Sequence, residues 1–269
     1  MPLPNIDSVD PQPALAVERV GSGPTLLFLH GWGMSRGLFR PLAHAIAAQH
    51  TAWLLAMPGY GQSAALQNGE RIDVSADHIV RQLALSGPVD LCGWSMGGLL
   101  ALNIAYRYPQ WVRRLVLFSA TPCFQSQTHW LHGIDQAVLT QFARDLAEDY
   151  ARTRSRFLTL QYKNVPQSRE QLREVKALLA TDPHPPSTVL QQGLHLLQTT
   201  DLLAQLPHIT CPTLIINGDR DSLIPTPAAR TLAEQMPNAR AVIMQGAGHL
   251  PFLTHTRACV QRLQEFFHE

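Results

Sequence analysis

Short apolar runs alternate along the chain with longer segments in which apolar residues recur every three to four positions. The short runs are typical of buried strands, and the longer segments are typical of helices that pack by one face. The predicted strands lie near 14–20, 25–29, 51–56, 89–93, 114–119, 213–217 and 241–245. The predicted helices lie near 37–48, 73–86, 97–107, 226–235 and 255–267. Because strands and helices alternate, we predict an α/β fold with a mostly parallel central sheet flanked by helices.

The alternation stops after residue 120 and resumes at residue 211. Between these points the pattern predicts helices separated by prolines. We therefore divide the chain into a core, residues 1–120 and 211–269, and a helical insertion, residues 121–210, which we call the lid. A lid over the carboxyl ends of the strands would form one side of a cleft there and would select the substrate.

Composition limits the class of protein. With 269 residues, 45% of them hydrophobic, the chain can bury one sizeable core. Residues 1–7 do not resemble a secretory signal, and no apolar run approaches the ~18 residues that a membrane span needs. We expect a cytoplasmic protein with neither nucleic acid nor a membrane among its partners. Four widely separated cysteines favour reduced thiols, so neither a disulfide framework nor a metal site is predicted.

A candidate nucleophile lies between a predicted strand and a predicted helix. Residues 93–97 read Gly-Trp-Ser-Met-Gly, with Ser95 at the centre. A serine at such a turn is held in a strained conformation with its hydroxyl exposed to a cleft. The bare pattern also fits an unrelated glycine-containing loop, but the strand before it and the helix after it favour a nucleophile.

A candidate base and a candidate acid follow later strands. His249 lies in a glycine-rich turn after the strand near 241–245, and Asp221 lies in the loop after the strand near 213–217. Asp219 in the same loop is an alternative acid. The chain order serine, aspartate, histidine differs from that of the chymotrypsin and subtilisin folds.

These motifs, in this order, resemble the α/β-hydrolase family over nearly the whole chain, and His30-Gly31-Trp32-Gly33 after a predicted strand strengthens the resemblance. The resemblance implies an α/β-hydrolase fold and catalysis by Ser95, His249 and Asp221, because the family pattern G-x-x-D-x-x-[IV]-P selects Asp221 rather than Asp219 as the acid. It also implies that the backbone N–H groups of Trp32 and Met96 form an oxyanion hole. No cofactor and no metal are expected.

Positive charge is concentrated in the lid. Residues 150–176 contain seven basic side chains and two acidic ones, although the whole chain has a formal charge of +1. Arginines four positions apart on a helix project from one face, which predicts a surface for an acidic partner. The alternative is a solvated helix face with local ion pairs.

Five stretches narrow the resemblance to the family of pimeloyl-[acyl-carrier protein] methyl ester esterases of biotin synthesis. They are residues 30–34, 93–99, 119–124, 156–161 and 193–194 with 200–202. The resemblance implies a serine carboxylesterase that works through an acyl-enzyme, with acyl-carrier protein carrying the pimeloyl methyl ester as its partner. The implied docking residues are Arg152, Arg156, Arg169 and Arg173. The implied substrate contacts are Trp32, Ser95, Met96, Phe157, Leu158, Thr159, Leu160 and Gln161.

Other functions remain open from the sequence. A general short-chain carboxylesterase, or a carbon–carbon bond hydrolase of the same fold, would use the same three residues on a different substrate. In another class, the chain would be a receptor-like hydrolase that binds a ligand and turns it over incidentally. A small free ester needs no docking surface, so the lid arginines discriminate between these functions.

Overall fold

The computed structural model describes residues 14–83, 87–161 and 168–269, with only the backbone described at residues 168, 169, 171 and 172. These residues form a seven-stranded sheet with the strand order β1-β3-β2-β4-β5-β6-β7. The strands are Val17–Val20 (β1), Thr25–Leu29 (β2), Thr51–Leu55 (β3), Val89–Trp94 (β4), Val112–Phe118 (β5), Thr213–Gly218 (β6) and Ala239–Met244 (β7). β1 pairs antiparallel with β3, and every other pairing is parallel. The predicted fold class and all seven predicted strands are confirmed.

The α-helices are Arg40–Ile46 (α1), Ile72–Leu83 (α2), Met96–Arg107 (α3), Gln136–Glu148 (α4), Tyr150–Leu160 (α5), Ser168–Leu179 (α6), Ser187–Thr199 (α7), Thr226–Glu234 (α8), Pro251–Thr254 (α9) and Thr256–Phe267 (α10). Short 3₁₀ helices span Arg36–Phe39, Pro109–Trp111 and Leu203–His208. The helix predicted at 37–48 is thus a 3₁₀ turn followed by α1, and the end of the helix predicted at 73–86 lies outside the described residues. Within the described part of the chain, no helix is long and apolar enough to cross a membrane.

Hydrophobic cores cover both faces of the sheet. Along β2, Leu27 and Leu29 belong to a cluster with α2, α3 and α8, whereas Leu26 and Phe28 belong to a cluster with α1, α9 and α10. This alternation follows from the two-residue period of a strand. Because both faces are covered, the parallel strands are apolar almost without interruption, which explains the short apolar runs in the sequence.

Among the described residues, the helices α4 to α7 lie between β5 and β6 along the chain, in the segment predicted as the lid. They cover the loop that follows β2. The indole ring of Trp32 in that loop lies 5.3 Å from the ring of Phe142 on α4 and 5.1 Å from that of Phe157 on α5. Opening and closing of these helices stays a prediction.

Candidate active site

Ser95 occupies the junction between β4 and α3 in a strained conformation. Its backbone angles are φ 55° and ψ −120°, a region that residues with a Cβ rarely adopt. The Ser95 N–H donates to the carbonyl of Phe118 at 3.1 Å, and the Ser95 carbonyl accepts from the N–H groups of Gly98 and Leu99. These bonds on both sides hold the serine in the strained turn.

The glycines around Ser95 are required by close packing. A Cβ at Gly93 would collide with the backbone of Gly97 and Gly98, and a Cβ at Gly97 would collide with the backbone of Leu29. The first turn of α3 therefore packs directly on the ends of β4 and β2. The spacing of glycines in the motif thus has a steric cause.

His249 lies in the loop after β7 and is almost fully buried. Its Nδ1 is 2.8 Å from Oδ2 of Asp221, and its carbonyl accepts a hydrogen bond from the Trp94 indole N–H at 2.9 Å. The other ring nitrogen, Nε2, is buried and has no hydrogen-bond partner among the described residues. This nitrogen is therefore available to exchange a proton with another group.

Asp221 is held with one oxygen toward His249. Its Oδ1 accepts from the N–H groups of Leu223 at 2.9 Å and Ile224 at 3.0 Å, which fixes the rotation of the carboxylate. The alternative acid, Asp219, instead accepts from the N–H of Gly246 at 2.7 Å. Asp219 thereby ties the loop after β6 to the loop after β7, and the structure pairs Asp221 with His249.

The two predicted oxyanion donors follow neighbouring parallel strands, β2 and β4. Met96 is the first residue of α3, so its N–H has no acceptor within the helix. The Trp32 side chain is anchored by its indole N–H, which donates to the carbonyl of Leu190 on α7 at 2.8 Å. The next residue, Gly33, donates its N–H to the hydroxyl of Tyr60 at 3.3 Å. The loop that carries the Trp32 amide is thus fixed from two sides.

His30 is a neutral structural residue beneath this loop. Burial lowers its pKa to about 4, because the charged imidazole would lose its hydration. Its Nε2 accepts from the N–H of Met57 at 3.2 Å, so its Nδ1, 3.0 Å from the carbonyl of Gly31, is the donor. His30 therefore holds two loops together.

Comparison with known proteins places the chain in a family. A family model described as alpha/beta hydrolase fold matches residues 24–256. The chain belongs to the alpha/beta hydrolase family. It is an enzyme, and its structure is similar to that of the esterase EaEST from Exiguobacterium antarcticum, with a TM-score of 0.86 and 25% identity over 96% of each chain.

The relatives of this hydrolase include proteins named pimeloyl-[acyl-carrier protein] methyl ester esterase. One from Xylella fastidiosa (strain 9a5c) is 36% identical over 253 residues, which cover 93% of this chain and 97% of the relative. Another from Xanthomonas campestris pv. campestris (strain B100) is 36% identical over 251 residues, with the same coverage. The resemblance inferred from local stretches is confirmed along nearly the full length.

An apolar pocket of about 40 Å³ lies next to Met96 in the hydrolase. The loop after β3 and the helices α2, α3 and α7 form its walls. Its lining includes Met57, Tyr60, Ile72, Leu99 and Val189. Apart from Met96, sequence reasoning missed these residues, because apolar side chains that line a pocket have the same spacing as those that pack a core.

The predicted substrate segment forms the end of α5 and divides between the interior and the surface. Phe157 packs against Trp32, Leu158 is buried, and Gln161 is 2% exposed with neither amide atom hydrogen-bonded among the described residues. Thr159 is exposed, and its hydroxyl donates to the carbonyl of Ser155. Leu160 is 38% exposed. The structure thus brings Phe157 to the predicted oxyanion loop and leaves Thr159 at the surface.

The predicted docking arginines lie on α5 and α6. Arg152, Arg156 and Arg173 are exposed, and Arg156 lies 3.4 Å from Oδ2 of Asp145. Arg169 belongs to α6, but its side chain lies outside what the structure describes. Among the described residues, no group of three or more His, Cys, Asp or Glu side chains could hold a metal ion.

Proposed function

We propose that this hydrolase is a serine carboxylesterase that removes the methyl group of pimeloyl-[acyl-carrier protein] methyl ester during biotin precursor synthesis. The observation that carries the proposal is the hydrogen bond between His249 and Asp221 at the sheet edge that carries Ser95. It is supported by relatives that match nearly the whole chain and bear this esterase name.

In the first step, the Ser95 hydroxyl attacks the ester carbonyl and His249 Nε2 takes its proton. Asp221 accepts a hydrogen bond from the Nδ1–H of the imidazole, which fixes the ring and stabilises its protonated form. The free Nε2 supports this role, because a buried nitrogen without a partner is ready to accept a proton. The strained backbone of Ser95 supports its role as the nucleophile.

Negative charge then develops on the former carbonyl oxygen. The N–H groups of Trp32 and Met96 stabilise it, and one such donor is worth about 2.7–4 kcal/mol in similar enzymes. Collapse of the tetrahedral intermediate expels methanol, which takes its proton from His249. A water molecule that gives its proton to His249 next attacks the acyl-enzyme, and Ser95 leaves with that proton restored. The products are methanol and the free carboxylate of the carrier-bound acyl chain.

The substrate is held at two surfaces in this proposal. The aromatic group of Trp32, Phe142 and Phe157 and the apolar pocket beside Met96 contact the acyl chain. The exposed arginines Arg152, Arg156 and Arg173, together with Arg169, contact the acidic carrier protein. Because exposed charges steer association, they act chiefly on the rate at which the carrier binds.

A general carboxylesterase is the second candidate, favoured by the structural likeness to the Exiguobacterium esterase. The two candidates are distinguished by kcat/KM for the carrier-bound methyl ester and for a short nitrophenyl ester, each at 0.1 M and 1 M salt. The Debye length falls from about 10 Å to about 3 Å over this range, so a docking contact weakens. We expect a large, salt-sensitive preference for the carrier-bound ester. Equal, salt-independent values would favour the general carboxylesterase.

A further inference from the structure

A second cleft, of about 250 Å³, lies between α5, α6 and the loop after β2. Gly33, Met34, Leu158 and Leu179 form its buried apolar floor. Its rim is polar and exposed, with Ser155, Lys176 and His184. The mechanism proposed above assigns no role to this cleft.

Arg154 on α5 reaches into the cleft and is half-buried. Its Nε–H donates to the carbonyl of Gly33 at 3.1 Å. No carboxylate among the described residues forms an ion pair with it, and none lines the cleft. A guanidinium that has lost part of its hydration without gaining a counter-ion is electrostatically costly. Burial accordingly lowers the pKa of Arg154.

The cleft contains two further groups that can carry a positive charge. Lys176 and His184 line it with Arg154, and the positive charge of Arg154, followed by burial, lowers the pKa of His184. A positive charge on any one of these side chains opposes a positive charge on the others. An anion between them would remove the repulsion and supply the missing counter-ion of Arg154.

We propose that this cleft binds a phosphate-type oxyanion, from either of two sources: the phosphodiester of a carrier protein's prosthetic arm or free inorganic phosphate. A guanidinium, an ammonium, an imidazole and the Ser155 hydroxyl come from three elements, so they suit an anion with acceptor oxygens in several directions. The cleft, at about 250 Å³, is large enough for a phosphate with part of its hydration shell.

The position of the cleft favours the arm as the source. Its floor contains Gly33, the residue after the predicted oxyanion donor Trp32. Lys176 lies three residues after Arg173 on α6, so one helix face connects the proposed docking surface to the rim of the cleft. On α5, by contrast, Arg154 is about 200° around the helix from Arg152, so it is not part of the exposed arginine face. The arm as the source rests on the proposed function, whereas binding of free phosphate does not.

The first experiment measures binding by NMR, with His184 as the reporter. The pKa of His184 is determined with inorganic phosphate and with chloride at the same ionic strength, in the wild type and in Arg154→Gln, Arg154→Lys and Arg144→Gln variants. Arg144 is an exposed lid arginine outside the cleft and serves as the matched control. We expect phosphate to raise the pKa of His184 in the wild type and in Arg144→Gln, less in Arg154→Lys, and not in Arg154→Gln. No difference between phosphate and chloride in the wild type would overturn the proposal.

The second experiment identifies the source. Two methyl esters of a pimeloyl thioester are compared, one on phosphopantetheine and one on pantetheine, which lacks the phosphate. We expect kcat/KM to be roughly tenfold higher for the phosphorylated thioester, as a charged hydrogen bond allows, and this ratio to fall to about one in Arg154→Gln and in Lys176→Gln. A wild-type ratio of one, with phosphate binding intact, would assign the cleft to free phosphate. If neither thioester is hydrolysed while nitrophenyl esters are, the proposed function is wrong. The NMR experiment then still shows whether the cleft binds phosphate.

Discussion

At the edge of the sheet, Asp221 and His249 are buried and joined by one hydrogen bond of 2.8 Å. In the lid, by contrast, Arg152 and Arg173 are exposed and make no ion pair within the described chain. The first region depends on the fixed geometry of buried side chains. The second depends on charge that stays hydrated until a partner arrives. Substitutions in the first region should therefore reduce turnover on every substrate, and substitutions in the second should reduce it on charged macromolecular substrates alone.

The largest effect is expected from Ser95→Ala. Without the hydroxyl no acyl-enzyme forms, and loss of the nucleophile in serine hydrolases lowers kcat on the order of 10⁶-fold. Hydrolysis of a nitrophenyl ester and of the carrier-bound ester should fall together, as measured by steady-state kinetics. Ser187→Ala, an exposed serine at the start of α7, is the control and should keep full activity. Turnover retained by Ser95→Ala would refute the mechanism.

Asp221→Asn should have the next largest effect. An amide in place of the carboxylate no longer selects the imidazole tautomer that leaves Nε2 free, and such a change costs about 10⁴-fold in kcat in a serine protease. Asp219→Asn is the matched control: its side-chain oxygen can still accept from Gly246, so we expect less than a tenfold loss. If both variants lost activity equally, the assignment of Asp221 as the acid would be wrong.

A smaller, substrate-dependent effect is expected from charge reversal in the lid. Changing Arg152, Arg156 and Arg173 to glutamate should raise KM for the carrier-bound ester on the order of tenfold to a hundredfold, because the encounter becomes repulsive. KM for the nitrophenyl ester should stay the same. The control reverses three exposed arginines of the core, Arg81, Arg230 and Arg257, by the same total charge. Equal losses in both triple variants would mean that net charge, and not the lid surface, governs binding.

The last prediction concerns stability and not turnover, at His30 beneath the loop that carries Trp32. Its pKa is lowered to about 4 from an ordinary value of 6.5, so between these pH values the unfolded chain binds a proton that the folded protein does not. Stability from this group should therefore fall as pH drops through this range, by up to about 3 kcal/mol. His30→Gln keeps an acceptor for the Met57 N–H and does not titrate. Urea unfolding at pH 7.5 and pH 5 should show less acid destabilisation in this variant, and identical pH dependence would contradict the burial argument.

The strand pattern and the three candidate catalytic residues could be predicted from the sequence because each has a local cause. Ser95 is marked by glycines that the packing of α3 requires, and the strands are marked by apolar runs that both covered faces of the sheet require. The prediction of one helix over residues 37–48 was less accurate, because the first turn of this segment, Arg36–Phe39, is a 3₁₀ helix. Helix ends depend on local hydrogen bonds that composition specifies weakly.

Side chains whose partners come from distant parts of the chain were harder to predict. Residue type alone does not distinguish Asp219 from Asp221. The N–H groups of Leu223 and Ile224 turn Asp221 toward a histidine 28 positions later, whereas Asp219 caps the turn at Gly246. The residues that line the pocket beside Met96 carried no motif, because their apolar side chains are also compatible with ordinary packing.

The sequence by itself therefore determined the α/β architecture, the family and the order of the candidate catalytic residues, since these follow from periodicity and from motifs within a few residues of one another. Tertiary structure decided which basic side chains of the lid are exposed and which are partly buried. The sequence groups Arg152, Arg154 and Arg156 in one basic segment, whereas folding leaves two of them exposed and turns Arg154 onto the carbonyl of Gly33, 121 positions away. The physical reason is that the residue type fixes the charge of a side chain, whereas its hydration and its partners depend on which distant segments pack against it.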